Sequence, residues 1–130
     1  MIGGAGIVYE FWGQQVLCNM SGLHDVDLND ADYLIGLLQK SVIAAEATLV
    51  EVMCRKFSPE GVTIIAVLKE SHVAIHTYPE HDALFFDAFT CGRTAKPEKM
   101  ARTFIDCLEP KEYALKTLVR SLNEIREKSF

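Results

Sequence analysis

The stretch KESHVAIHTYPEHDALFFDAFTCG, residues 69–92, is the most informative part of the sequence for the fold, and it also concentrates reactive side chains. Its β-branched and aromatic runs at residues 73–77 and 83–89 predict two strands, and Pro79 marks the short connection between them. Strands joined by so short a connection pair antiparallel. Ordinary core strands need neither a serine, nor three histidines, nor a cysteine. We therefore expect this segment to build both the sheet and a reactive site.

The flanking sequence extends the sheet and adds helices. Residues 31–45 repeat apolar side chains at spacings of three and four, which is typical of a helix, and Asn29 or Asp30 is its expected cap. The turn at residues 58–61 joins two β-type runs as a hairpin. The further predictions are strands at residues 7–12, 48–57 and 62–68, a loop at residues 19–29, and helices at residues 96–108 and 111–128. Together they predict an α+β two-layer sandwich, an antiparallel β-sheet with helices packed on one face.

Size and composition indicate one globular domain spanning residues 1–130. The 130 residues are 49% apolar and carry a net charge of −5 without any basic block, which disfavours nucleic-acid binding. The longest apolar run, residues 64–68, is far too short to cross a membrane, and no signal peptide is recognisable. The four cysteines form no C-x-x-C pair, so we expect reduced thiols and a cytoplasmic protein.

The histidines do not predict a metal site. His72 and His76 are four residues apart, which corresponds to ~13 Å along a strand. Two imidazoles at that separation cannot share a zinc ion at ~2 Å. Ser71 lacks the G-x-S-x-G context of a hydrolase, whereas a Cys–His nucleophile pair of Cys91 and His76 stays open.

Another reaction is open to Ser71, namely scission of its own chain. A serine hydroxyl can attack the preceding carbonyl, here that of Glu70, and convert the amide into an ester. Loss of the serine α-proton then breaks the ester and leaves dehydroalanine, which hydrolyses to a pyruvoyl group and ammonia. This route requires a bent or strained peptide, donors for the oxyanion and a nearby base such as histidine.

Two motifs around Ser71 and Cys91 resemble a known family. ESHVAIHTYPE, residues 70–80, and DAFTCG, residues 87–92, resemble the short prokaryotic S-adenosylmethionine decarboxylases, and the match begins near KFSPEGVT at residues 56–63. The resemblance implies a pyruvoyl enzyme without a metal, made as a proenzyme, that decarboxylates S-adenosylmethionine for polyamine (spermidine) synthesis. It also implies a homodimer of cleaved protomers with active sites near the subunit interface.

Carried over residue by residue, the resemblance implies cleavage between Glu70 and Ser71. The products are a β chain of residues 1–70 and an α chain of residues 71–130 that begins with the pyruvoyl group made from Ser71. His76 matches the processing base, and Cys91 matches the proton donor of the decarboxylation.

Further matching positions support processing and substrate binding. Thr63 stands where the family has a serine whose hydroxyl assists processing. The positions that match substrate-contacting groups are Phe57, Tyr78 and Glu80. Because Ser71 and His76 are five residues apart, one straight strand would point them to opposite faces. We therefore expect Ser71 to lie in a bend ahead of its strand.

The sequence also departs from the family pattern. Thr63-Ile64 replaces Ser-Gly, Asp82-Ala83 replaces Gly-Tyr, and Tyr78 stands where tryptophan is frequent. Two alternatives therefore stay open. One is a pyruvoyl-dependent arginine or ornithine decarboxylase of the same fold, and the other is a non-catalytic homologue that acts as a binding partner.

Overall fold

A computed structural model of the protein describes residues 11–128. Within that range the chain forms a single seven-stranded antiparallel sheet, two α-helices and one short 3₁₀ turn. The strands are β1 (Trp12–Ser21), β2 (Leu49–Lys56), β3 (Val62–Leu68), β4 (Ser71–Tyr78), β5 (Ala83–Cys91), β6 (Glu112–Ser121) and β7 (Glu124–Glu127). The helices are α1 (Ala31–Ala44) and α2 (Pro97–Leu108), and the 3₁₀ turn is Pro79–His81.

Strand order across the sheet is β2-β3-β4-β5-β1-β6-β7. The core lies between one face of this sheet and the two helices, where Phe86 of β5 contacts Phe104 of α2 with ring centroids 5.3 Å apart. Leu38 of α1 and Ile64 of β3 are completely buried in the same cluster. The predicted two-layer α+β sandwich is thereby confirmed.

The other face of the sheet is covered by no helix among the described residues. We call it the open face, and its side chains include Leu17, Ile65, Val67, His76 and Phe85. The four apolar members are each 42–47% exposed. Alternation along each strand separates this face from the buried one, because successive side chains point to opposite sides.

Both helices begin where the sequence predicts. Asp30 caps α1, because its Oδ1 accepts a hydrogen bond from the Tyr33 N–H at 3.0 Å. Pro97 opens α2 at the first helical position, where a missing N–H costs nothing. The predicted hairpin of β2 and β3 and the strands β4 and β5 are also present.

The prediction of a helix at residues 111–128 was wrong. This segment forms β6 and β7, and β6 pairs with β1 from Trp12↔Ser121 to Ser21↔Glu112. Its leucines and valines fit a helical spacing. They also fit a strand, because Leu115 and Thr117 lie on the buried face and the exposed Lys116 lies between them. The long strand β1 lies inside the sheet and needs a partner on each side, and β6 is one of those partners. This long-range pairing overrides the local helical pattern.

The first strand also differs from its prediction. Residues 7–10 lie outside the described residues, and β1 begins at Trp12 and continues through Gly13 to Ser21, shortening the predicted loop. A Cβ added at Gly13 would lie 2.7 Å from both the Phe89 ring and the Thr90 carbonyl oxygen. The glycine therefore admits a close neighbour inside the strand and does not terminate it.

Candidate active site

The turn between β3 and β4 carries the predicted cleavage bond. Leu68 pairs with Ser71 across the hairpin, so Lys69 and Glu70 form its two-residue tip. Ser71 has a backbone φ of +154°, a conformation that side-chain-bearing residues rarely adopt. Ser71 belongs to the β4 ladder itself, so the expectation that it lies in a bend ahead of the strand was wrong in that detail. The strain nevertheless falls on the residue that follows the predicted bond.

Two groups of Cys91 hold the Glu70 carbonyl. The Cys91 N–H donates to the Glu70 oxygen at 3.1 Å, and the Cys91 Sγ–H approaches the same oxygen at 3.4 Å. At its side chain, Glu70 Oε1 accepts from the Thr48 N–H at 3.0 Å, while the Lys69 N–H donates to the Thr48 carbonyl at 2.9 Å. The turn is thus fixed on two sides, and its carbonyl faces two donors, as in an oxyanion hole.

His76 and Thr63 form a second group on the open face. They are direct cross-strand neighbours on β4 and β3, and His76 Nδ1 lies 3.0 Å from Thr63 Oγ1. The hydroxyl is therefore in a position to orient the imidazole ring. A cleft of about 430 Å³ adjoins this pair, and its lining includes His76, Phe85, Asp87 and Lys116.

The predicted substrate contacts lie at the same end of the sheet as His76. Phe57 follows β2 and is 53% exposed, and its N–H donates to the Gly61 carbonyl at 2.8 Å. Tyr78 ends β4 and meets Phe85 edge to face, with ring centroids 5.2 Å apart. Glu80 lies in the 3₁₀ turn that follows.

The structure does not bring Ser71 and His76 of one chain together. Both belong to β4, and five residues of strand separate their Cα atoms by roughly 16 Å. Ser71, Glu70 and Cys91 form one group at the first end of β4, and His76 with Thr63 forms another toward its far end. A direct Cys91–His76 nucleophile pair within one chain is excluded by the same separation.

A row of polar side chains near the cleavage turn was missed by sequence reasoning. His72 Nε2 lies 3.1 Å from Asp87 Oδ2, and Gln15 Nε2 donates to the same oxygen at 3.3 Å. Arg120 Nη1 in turn donates to Gln15 Oε1 at 2.8 Å. Since an ionised carboxylate only accepts, His72 is the donor to Asp87. The partners come from four different strands, and no local motif announces such a row.

All four cysteines are free, and burial raises the pKa of the Cys18 thiol to about 11. No group of three or more metal-ligating side chains occurs between residues 11 and 128. Within the same range, neither helix has the length and apolar character required to traverse a bilayer.

Comparison with known proteins places this geometry in a family. The sequence model described as S-adenosylmethionine decarboxylase matches residues 14–121. The chain belongs to the S-adenosylmethionine decarboxylase family. The resemblance seen in residues 56–92 is thereby confirmed, and it extends over most of the chain.

Individual relatives agree with this assignment. An S-adenosylmethionine decarboxylase proenzyme of Brevibacillus brevis is 36% identical over 118 residues, which cover 91% of this chain and 89% of the relative. A proenzyme of the same name from Methanococcus maripaludis strain S2 is also 36% identical over 118 residues, covering 88% and 97%. The crystal structure of adenosylmethionine decarboxylase from Aquifex aeolicus VF5 superposes with a TM-score of 0.74 at 27% identity, covering 94% of this chain and 99% of that one.

Proposed function

We propose that this chain is a self-processing, pyruvoyl-dependent decarboxylase of S-adenosylmethionine that serves polyamine synthesis. One observation carries the proposal: the residue after the predicted cleavage bond is strained, and the carbonyl before it already faces two donors of Cys91. Relatives from both bacteria and archaea are named as proenzymes, which fits a chain that must be cut before it acts.

Cleavage begins with Ser71. Its Oγ attacks the Glu70 carbonyl carbon, and negative charge develops on the Glu70 oxygen, where the Cys91 N–H and Sγ–H are already aimed. Donors aligned in advance stabilise that charge without reorganisation. The C–N bond then breaks, and the strained backbone at Ser71 relaxes as the amide becomes an ester.

Removal of the Ser71 α-proton completes the cut. It yields a fragment of residues 1–70 that ends in the Glu70 carboxylate, and a fragment of residues 71–130 that begins with dehydroalanine. Water then hydrolyses the dehydroalanine to the pyruvoyl group and releases ammonia. When present, the pyruvoyl group made from Ser71 would supply an electron-withdrawing carbonyl for an amine substrate, whose carboxylate would leave as carbon dioxide. Cys91, next to this new terminus, then supplies the proton that replaces the carboxylate.

The base for the α-proton comes from a second copy of the chain. His76 is roughly 16 Å from Ser71 within one protomer, too far for proton transfer. The open face offers the route, because Leu17, Ile65 and Phe85 expose apolar surface there next to the His76 cleft. Two open faces stacked against each other bury that surface and bring the partner's His76 to the open-face side of the Glu70–Ser71 turn, the side on which Cys91 lies.

The side chains that contact the substrate come from the same end of the partner's sheet as His76. The exposed rings of Phe57 and Tyr78 suit an adenine base, and an aromatic face next to a sulfonium supplies cation–π attraction. Glu80 provides a carboxylate for ribose hydroxyls or for the substrate amine.

Intact-mass analysis of freshly purified protein tests the cleavage. We expect two fragments that correspond to residues 1–70 and 71–130, and the second should gain mass on borohydride reduction. The Ser71→Ala variant is the matched control and should stay at full length. Persistent full-length wild-type chain on long incubation would contradict self-processing.

Release of carbon dioxide from a panel of labelled substrates tests the specificity. We expect release from S-adenosylmethionine and none from arginine or ornithine. Release from a basic amino acid alone would instead support the sister decarboxylases. In the processed fraction of Cys91→Ala, kcat should fall more than KM rises, because the thiol donates a proton after the substrate is bound.

A further inference from the structure

The hydroxyl of Thr90 is buried without a hydrogen-bond partner. Thr90 is 1% exposed, and its Oγ1 is the one buried side-chain oxygen or nitrogen between residues 11 and 128 that lacks a partner. Two other buried threonines satisfy theirs: Thr77 Oγ1 donates to the Leu28 carbonyl at 2.9 Å, and Thr117 Oγ1 to Glu98 at 3.3 Å. An unsatisfied buried hydroxyl is destabilising and calls for an explanation.

Its place in the sheet supplies that explanation. Thr90 lies directly opposite Ser71 in the register of β4 and β5, and it immediately precedes Cys91. Side chains of directly opposed residues have Cβ atoms about 4.5–5.5 Å apart. The unpartnered Thr90 hydroxyl therefore lies beside Ser71, the residue that the cleavage converts. The next residue of the same strand, Cys91, donates its N–H to the Glu70 carbonyl.

We propose that Thr90 is a catalytic residue of self-cleavage that relays a proton from Ser71 Oγ to the Ser71 nitrogen. This assignment rests on the proposed function. In the acyl shift the bond from Ser71 Oγ to the Glu70 carbonyl carbon forms, and the bond from that carbon to the Ser71 nitrogen breaks. Thr90 Oγ1 accepts the proton of the attacking hydroxyl and gives its own proton to the departing nitrogen, which becomes a free amine. The threonine is unchanged at the end.

A relay is needed because the two atoms belong to one five-membered ring. A proton passed directly from Oγ to nitrogen would follow a sharply bent path, and hydrogen bonds weaken steeply below ~120°. A hydroxyl outside the ring permits two straighter transfers. Other groups near the bond are engaged elsewhere, since Cys91 is bound to the Glu70 oxygen and His72 is bound to Asp87.

The missing partner in the intact chain strengthens the rate effect. A hydrogen bond that forms only after the reaction starts lowers the barrier without first stabilising the starting state. Thr90 is idle before cleavage and paired during it, so its full contribution appears in the rate.

The experiment follows cleavage during cell-free synthesis, with time points resolved on denaturing gels and by intact mass. Thr90→Val keeps the shape and removes the hydroxyl, and we expect it to slow scission by roughly tenfold or more. Thr90→Ser keeps the hydroxyl and should cleave within about threefold of wild type. Thr117→Val is the matched control, because it removes another buried hydroxyl far from the turn, and it should cleave at the wild-type rate.

A second measurement separates chemistry from folding. In the uncleavable Ser71→Ala background, adding Thr90→Val should leave the thermal midpoint equal or raise it, because an unsatisfied hydroxyl is removed. Cleavage of Thr90→Val at the wild-type rate would overturn the relay, and so would equal slowing by Thr117→Val. If wild type itself remained uncut, self-processing would be wrong and the relay with it, whereas normal cleavage of both wild type and Thr90→Val would overturn the relay alone.

Discussion

Cleavage should be restored by mixing two variants that are each inactive. Ser71→Ala lacks the nucleophile but keeps His76, and His76→Ala keeps the nucleophile but lacks the base. If the base acts between protomers, a mixed dimer contains one complete site, made from Ser71 of one chain and His76 of its partner. That site cuts the His76→Ala chain and leaves the Ser71→Ala chain intact.

The fraction of chains cleaved in the mixture can be calculated from the geometry and from random pairing. The roughly 16 Å between the two residues on β4 makes any contribution from within one chain negligible. Random pairing of equal amounts places about half of the His76→Ala chains in mixed dimers, because a two-fold dimer draws each partner independently. About half of all His76→Ala chains should therefore be cut, which corresponds to about a quarter of all chains in the mixture.

The assay uses the two variants with tags of different mass, synthesised together or unfolded together and refolded. Intact mass then identifies which chain has been cut. Each variant treated alone provides the baseline, and a double variant carrying both changes should cleave neither itself nor a partner.

Two results would contradict this prediction. The first is a mixture that shows no more cleavage than the separate variants, which would mean that His76 does not act across the dimer. The second is cleavage of His76→Ala alone at the wild-type rate, which would remove His76 from the reaction.

The remaining predictions concern three other residues. Thr63→Val removes the hydroxyl that lies 3.0 Å from His76 Nδ1, and scission should slow by about three- to tenfold in a time course, while Thr63→Ser stays near wild type. Gly13→Ala places a Cβ 2.7 Å from the Thr90 carbonyl oxygen, so the free energy of unfolding in urea should fall by about 1–3 kcal/mol, and an unchanged midpoint would contradict the tight contact. Burial raises the pKa of Cys18 from 9.0 to about 11, so folding favours its neutral thiol. The contribution of Cys18 to the free energy of unfolding is therefore fully present below pH 9 and declines above it, because the unfolded thiol ionises first. Urea unfolding at pH 8 and pH 10 should show a smaller alkaline loss for Cys18→Ala than for wild type.

Local patterns in the sequence predicted most of the fold because those patterns have a single interpretation. Asp30 ahead of an apolar helical face and Pro97 at a helix start each act within one turn of chain. The segment at residues 111–128 is different, because its apolar residues fit both a helix and a strand. Only its pairing with β1, about a hundred residues earlier in the chain, decides between them.

The candidate site was likewise predictable from the sequence only in part. The Glu70–Ser71 bond and Cys91 lie in a recognisable motif, so their proximity was expected from the resemblance. The strained φ of Ser71, the unpaired hydroxyl of Thr90 and the row from Arg120 to His72 depend on the register of several strands. Register is a long-range property, and a single sequence does not reveal it.

The strand order has a consequence for the protein after the proposed cut. Strands β1, β2 and β3 belong to the first fragment and β4 to β7 to the second, yet β1 lies between β5 and β6. The two fragments are therefore interleaved, and they share three strand-to-strand boundaries once the covalent link is gone. Such an assembly stays together under native conditions. Once unfolded, however, it must regain its structure from two separate molecules, so recovery becomes dependent on concentration, whereas the uncut precursor folds as one chain.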